Sequence, residues 1–317
     1  MTAPGPRAGA IARLLRFSLF PSVVADVLAG MTLGSGEVQF GPPAAALLLA
    51  SLCVFHGAMA LNDWADREFD AATRPDRPIP SGGVSARSAF ALASILLGAP
   101  LVLLVVSPGM DSRLPGAVLL AVACLAVLYD VGLRGPWIGP VLLGLCRGGN
   151  LSAGLLLGAA LAAPEEPPAP LRFLVPVAYG LYVFFVARLG RLEDREERDE
   201  HRKIGASTLF LVVATLLLGP ALLPGTAYPT APPLLLRLGV LAILLLVAIP
   251  MVRLALADRS PCPATIERWM GVALGRLVVF TAAAALLAGG AAHPGPGIVL
   301  LLLFPFGRIL ARRFPPS

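Results

Sequence analysis

The stretch "AAALLLASLCVFHGAMALNDWADREFD", Ala44 to Asp70, decides how this chain folds. It has no Asp, Glu, Lys or Arg from Ala44 to Leu61, then places an asparagine, three aspartates and a glutamate between Asn62 and Asp70. An uncharged run of this length reads as a membrane helix. Negative charge packed at the end of such a helix calls for partners, because ionisable groups at membrane depth are costly alone.

The whole chain has the same character. Of its 317 residues 57% are hydrophobic and 14% charged, and the mean hydropathy is +0.81. A soluble domain would carry about 25% charged residues, so the composition excludes that class and indicates an all-α polytopic membrane protein. The cysteines Cys53, Cys124, Cys146 and Cys262 are isolated, and no CxxC pair exists. They read as small apolar side chains rather than as a disulfide or metal framework.

At about twenty apolar residues per span, helices are expected near 11–33, 43–63, 86–107, 114–130, 138–162, 172–192, 206–224, 233–256 and 266–289. A shorter stretch at 298–310 contains Pro305. The connections carry the breakers, such as "GPP" at 41–43 and "PEEPPAP" at 164–170. Chain length and short connections fit one domain over 1–317, with two pseudo-repeats at about 11–130 and 138–256. With nine spans, seventeen Lys and Arg fall on the N-terminal side of the membrane and three, Arg113, Arg172 and Arg237, on the other. The basic side is expected to face the cytoplasm, in a bacterial inner membrane. The net charge of +6 is then a topology signal and gives no reason to invoke nucleic acid.

The chemistry collects on that same side. On a continuous helix Asn62, Asp66 and Asp70, spaced four apart, share a face. Mg2+ takes one or two carboxylates together with substrate phosphate oxygens. The next residues, "AATRPDRPIPSGGVSARSA" from Ala71, bring Arg74 and Arg77 in a proline-punctuated turn, and arginine forks match phosphate oxygens. Carboxylates followed by arginines make a candidate site for a metal diphosphate.

A second charged cluster, "RLEDREERDEHRKIGASTL", runs from Arg191 to Leu209. Glu193, Glu197 and His201 are again four apart, flanked by Asp194, Asp199 and Glu200, with Lys203 and Gly205 following. Two facing acidic clusters can hold two Mg2+ ions on one diphosphate. The alternation of sign also suits a solvated helix end.

"NDWADREFDAATRPDRPIPSG" closely resembles the NDxxDxxxD signature and following loop of the UbiA superfamily of intramembrane prenyltransferases. The likeness runs from "RFSLFPSVVADVLAG" at Arg16 to the ninth helix. It implies a ring of helices around a central cavity with a cap of cytoplasmic loops. It also implies Mg2+-dependent transfer of a polyprenyl group from a prenyl diphosphate to a small acceptor. Asn62, Asp66 and Asp70 match the first metal motif, Asp63 lies beside them, and Arg77 falls at a diphosphate-binding position. The second motif departs from the usual DxxxD. One register places Glu197 and His201 at the two Asp positions, the other Glu193 and Glu197, and Glu197 belongs to both. The YxxxK element reads "YDVGLR": Tyr129 keeps its place, Leu133 stands at the Lys position, and Arg134 comes one residue later. "GLCRGGN" sets Arg147 and Asn150 inside a span, where ionisable residues are functional or paired with an acid such as Asp130. Together with "ADVLAG" and the divergent second motif this is similar to the EboC-like branch.

The expected catalytic set is therefore Asp66, Asp70, Glu197 and Tyr129. The metal set is Asn62, Asp63, Asp66, Asp70, Glu193, Asp194 and Glu197. The substrate set is Arg74, Arg77, Arg134, Arg147, Asn150 and Lys203. Asp26 is expected to face the cavity rather than lipid, and His56 to be a satisfied core histidine. A non-catalytic prenyl-lipid carrier on the same fold is the competing reading, supported by the altered second motif. The CDP-alcohol phosphotransferase pattern, which begins DGxxAR, is absent.

Overall fold

The computed structural model describes residues 6–106, 113–191, 198–257 and 263–313. Among them every regular element is helical. The α-helices are α1 Pro6–Leu14, α2 Phe20–Ser35, α3 Pro42–Ala65, α4 Arg67–Thr73, α5 Ala86–Val106, α6 Leu114–Val131, α7 Ile138–Ala162, α8 Leu174–Gly190, α9 Arg198–Leu222, α10 Leu234–Ala257, α11 Pro263–Gly275, α12 Leu277–Gly289 and α13 Gly295–Arg313. Seven segments among the described residues are long and apolar enough to cross a bilayer: 17–35, 42–65, 114–131, 138–162, 170–190, 234–253 and 268–289. The other two expected spans coincide with α5 and α9, and the stretch at 298–310 lies in α13.

Two expected helices are each broken in two. The first ends at Leu14 and resumes through a 3-10 turn at Phe17–Leu19, because Arg16 adopts a left-handed conformation with φ 46° and ψ 48°. The ninth breaks at Arg276, where α11 gives way to α12. Apolar periodicity continues through both breaks, so it could not reveal them.

Helices α2 and α7 form the central pair. Their contact uses small residues on both sides: Gly30 and Gly34 on α2 face Gly154 and Gly158 on α7. A methyl group on Gly154 would lie 2.4 Å from the Val27 carbonyl oxygen, and one on Gly30 would lie 2.2 Å from that of Leu151. Close backbone approach of this kind drives helix association where lipid removes any hydrophobic advantage. One apolar cluster joins α2, α3, α6 and α7 through Val27, Met31, Leu47, Val54, Leu119 and Leu157. A larger one joins the central pair to α8, α9, α10, α11 and α12, around Tyr179, Tyr182, Trp269 and Phe280.

A third cluster supports the acidic end of α3. Ala10 and Leu14 of α1 pack with Ala60, Leu61 and Trp64 of α3, with Ala89 and Ala93 of α5, and with Val84. The turn between α4 and α5 is pinned by backbone hydrogen bonds from Ser81 to Arg77, Gly82 to Ile79 and Val84 to Pro78. Gly82, at φ 76°, permits the reversal. Arg77 is thereby held on a fixed loop over the aspartates.

Candidate active site

The acidic motif does not lie on one straight helix. Helix α3 ends at Ala65 and α4 begins at Arg67, with Asp66 at the joint at φ −87° and ψ 1°. The expected face of Asn62, Asp66 and Asp70 is divided. Asp63 and Asp70, seven residues or about two turns apart, share Arg77: its Nη1 lies 2.7 Å from Asp70 Oδ2 and 3.5 Å from Asp63 Oδ1. Arg16 approaches the same Asp63 oxygen at 3.6 Å. Burial pulls the Arg16 guanidinium below its ordinary pKa, and the Asp63 charge opposes that shift.

Asn62 and Asp66 turn to the end of α6. Arg134 Nη1 bonds Asp66 Oδ1, while its Nη2 lies 3.5 Å from Asp130 Oδ1. Arg134 also donates to the carbonyls of Tyr129 at 3.1 Å and Asp130 at 2.9 Å, and its guanidinium sits 5.4 Å from the Tyr129 ring centroid. Asn62 Nδ2 donates to Asp130 Oδ1 at 3.0 Å. Arg134 thus reaches the acidic motif from one residue beyond the usual basic position. Its length and five donors allow this.

Four carboxylates, Asp63, Asp66, Asp70 and Asp130, therefore interleave with three guanidiniums, Arg16, Arg77 and Arg134. Asp63 is 2% exposed and Asp70 1%. Asp63 Oδ2 and Asp70 Oδ1 are buried and have no hydrogen-bond partner among the described residues. Buried carboxylate oxygens without donors are strongly unfavourable, and a hard cation such as Mg2+ is what such oxygens ligate. The residues therefore fit Mg2+. No three acidic, histidine or cysteine side chains among the described residues converge as a complete metal cage.

Arg74 is exposed on the turn after α4. Glu193, Asp194 and Glu197 lie outside the described residues. Lys203 and His201 fall within α9, but their side chains are likewise outside the description.

Arg147 and Asn150 belong to a separate polar network inside the bundle. Arg147 Nη2 pairs with the carboxylate of Asp26 at 3.2 Å, rather than with the expected Asp130, and lies 3.0 Å from the Tyr179 hydroxyl. Tyr179 donates to Asp26 at 2.7 Å and Asn150 Nδ2 donates to Asp26 Oδ2 at 3.1 Å. Ser51 donates to Asn150 Oδ1 at 2.6 Å. The network ties α2, α3, α7 and α8 together. His56 bonds the Leu15 carbonyl at 2.7 Å, as expected of a satisfied core histidine.

Two participants escaped sequence reasoning. Arg16 entered as a topology charge and as the first residue of the family-like stretch, with no role in the site, and Asp130 only as a possible mate for Arg147. For Asp130 a signal existed, since it precedes Arg134 by four residues on a helix end. For Arg16 none did: its contact with Asp63 depends on a chain reversal.

Comparison with known proteins gives a consistent answer. A model of the UbiA prenyltransferase family matches residues 23–274. The digeranylgeranylglyceryl phosphate synthase of Methanopyrus kandleri is 35% identical over 192 residues, 59% of this chain and 61% of that protein. The synthase of the same name from Ignicoccus hospitalis is 33% identical over 283 residues, covering 82% of this chain and 86% of its own length. The bacteriochlorophyll synthase 33 kDa chain of Cereibacter sphaeroides is 32% identical over 182 residues, 55% of this chain and 54% of that one. The match to the Methanopyrus protein thus spans about three-fifths of its length. Among solved structures, a UbiA homolog from Archaeoglobus fulgidus bound to GPP and Mg2+ superposes with a TM-score of 0.58 at 14% identity, covering 87% of this chain and 99% of that one. The apo UbiA homolog from Aeropyrum pernix K1 gives 0.58 at 16% identity, with 91% and 98% covered. These two likenesses bear on the fold.

Proposed function

We propose, from the premise that this chain belongs to the UbiA prenyltransferase family, that it moves a polyprenyl group from a prenyl diphosphate to a small acceptor within the membrane, with Mg2+ as cofactor. The observation that carries this reading is the pair of orphaned carboxylate oxygens, Asp63 Oδ2 and Asp70 Oδ1, buried beside arginines. Acid oxygens lacking donors call for a cation, and guanidiniums next to them call for phosphate. A metal diphosphate supplies both.

Asn62, Asp63, Asp66 and Asp70 would hold the metal, together with Glu193, Asp194 and Glu197 of the second motif. When bound, Mg2+ neutralises charge on the leaving diphosphate. Arg77 and Arg134 exchange carboxylate partners for phosphate oxygens, joined by Arg74 and Lys203. Aligned cations stabilise the charge that develops as the C1–O bond breaks and its electron pair departs with the diphosphate. The acceptor's electron-rich atom bonds to C1 and loses its proton to water. We assign the Tyr129 ring to the reacting carbon, because an aromatic face stabilises positive charge. Arg147 and Asn150 lie deeper, and we assign them to the lining of the substrate cavity. Arg147 Nη1 makes no hydrogen bond to the described residues, whereas both ends of the Asn150 amide are taken.

The relatives' names include a digeranylgeranylglyceryl phosphate synthase and a bacteriochlorophyll synthase, and their acceptors bracket those to be tried. A carrier that retains prenyl diphosphate is favoured by one observation: Asp63, Asp66 and Asp70 are each already paired with arginine. Purified protein with labelled geranyl diphosphate and a panel of acceptors, with and without Mg2+, separates the two. Mg2+-dependent transfer or ionisation is expected. Retention without turnover under every condition would replace the enzyme with the carrier.

A further inference from the structure

Asp130 stands one residue before the end of α6 and is 5% exposed. Its Oδ1 accepts from Asn62 Nδ2 at 3.0 Å and lies 3.5 Å from Arg134 Nη2. It is thus a carboxylate that meets the acidic motif from another helix and touches its only amide. An asparagine amide can present either its oxygen or its NH2 group. A neighbour that accepts but does not donate removes the choice.

We propose that Asp130 is a positioning residue: it turns the Asn62 amide so that its carbonyl oxygen, rather than its NH2 group, is presented to Mg2+. This rests on the functional reading above. Metal-ligating side chains are oriented by hydrogen bonds to their far atoms, and loss of such partners typically lowers metal affinity about 10–100-fold. Without Asp130 the Asn62 amide rotates freely and offers donors to a cation for part of the time. The Arg134 contact is secondary. That guanidinium is also anchored by the carbonyls of Tyr129 and Asp130, which persist when the side chain changes. The principal effect of altering Asp130 therefore falls on the metal rather than on phosphate contacts.

The test is a Mg2+ titration of geranyl diphosphate binding by purified protein in detergent, with the ligand-free Tm measured alongside. Asp130→Asn preserves volume but lets position 130 donate as well as accept. It is expected to raise the half-saturating Mg2+ concentration about tenfold, with binding at saturating Mg2+ retained. The exchange Asn62→Asp/Asp130→Asn restores a donor facing an acceptor and leaves the second carboxylate oxygen at position 62 for the metal. It is expected to bring half-saturation back toward wild type, which a purely structural role would not produce. An unchanged Mg2+ requirement in Asp130→Asn, or an exchange no better than the single variant, overturns the proposal. So does a fall in Tm, or loss of folding in all variants, without a Mg2+ effect, since Asp130 is then a residue of the fold. Wild type that binds geranyl diphosphate independently of Mg2+ sinks the functional reading and this inference together; a wild type that needs Mg2+ beside an indifferent Asp130→Asn sinks this inference alone.

Discussion

The Asp26 carboxylate on α2 meets the Arg147 guanidinium on α7 at 3.2 Å, within the membrane-spanning part of the bundle. Asp26 is fully buried and accepts from Arg147, Tyr179 and Asn150. Removing one partner of a buried pair leaves the other charge uncompensated, at about 3–5 kcal/mol. Asp26→Ala is therefore expected to lower the Tm in detergent markedly, and Asp26→Ala/Arg147→Met to recover much of the loss. A single variant as stable as wild type would show that the pair does not hold the bundle.

The glycines of the same helix pair make a second prediction. Gly154→Val places its side chain into the Val27 backbone, where even a methyl group would lie 2.4 Å from the carbonyl oxygen. Neither backbone can yield without separating α2 from α7. Overpacking of a tight contact costs about 1–3 kcal/mol or more, so monodisperse protein on gel filtration should fall sharply. Gly9→Ala, with open space around it, is the control expected to change nothing.

Arg77 tests the phosphate side of the site. Its guanidinium bridges Asp63 and Asp70 on a pinned turn. Charge-assisted hydrogen bonds are worth about 1.5–3 kcal/mol, so Arg77→Ala should weaken geranyl diphosphate binding about 10–100-fold. Arg77→Lys should recover only part, because an ammonium lacks the planar fork. Equal binding by all three proteins in a filter-retention assay would remove Arg77 from the site.

Orientation is tested by labelling. In a protein without its native cysteines, Ala72→Cys on α4 should react with an impermeant maleimide only from the cytoplasmic side. Glu166→Cys on the connection between α7 and α8 should react only from the other. Both positions are exposed. Reversed labelling would invert the proposed topology.

Much of this was legible in the residues alone. Composition and the uncharged run at 44–61 determined a helical membrane protein, since only a helix satisfies its own backbone hydrogen bonds in lipid. "NDWADREFD" and the following arginines announced the polar end of α3, because clustered charge beside a span is rare enough to be informative. Which carboxylate meets which cation was decided by tertiary structure. Spacing grouped Asn62, Asp66 and Asp70, but the joint at Asp66 sends Asp63 and Asp70 to Arg77 and leaves Asn62 and Asp66 to Asp130 and Arg134. Arg147 likewise announced a need for an acid, and only the α2–α7 packing identified Asp26. The difference has one physical cause. Burial and helicity are set by free energies summed over many neighbouring residues, so they can be read along the chain. An ion pair such as Asp26–Arg147 is set by the approach of helices more than a hundred residues apart in sequence, and that approach is fixed by glycines and breaks whose partners the chain order does not name.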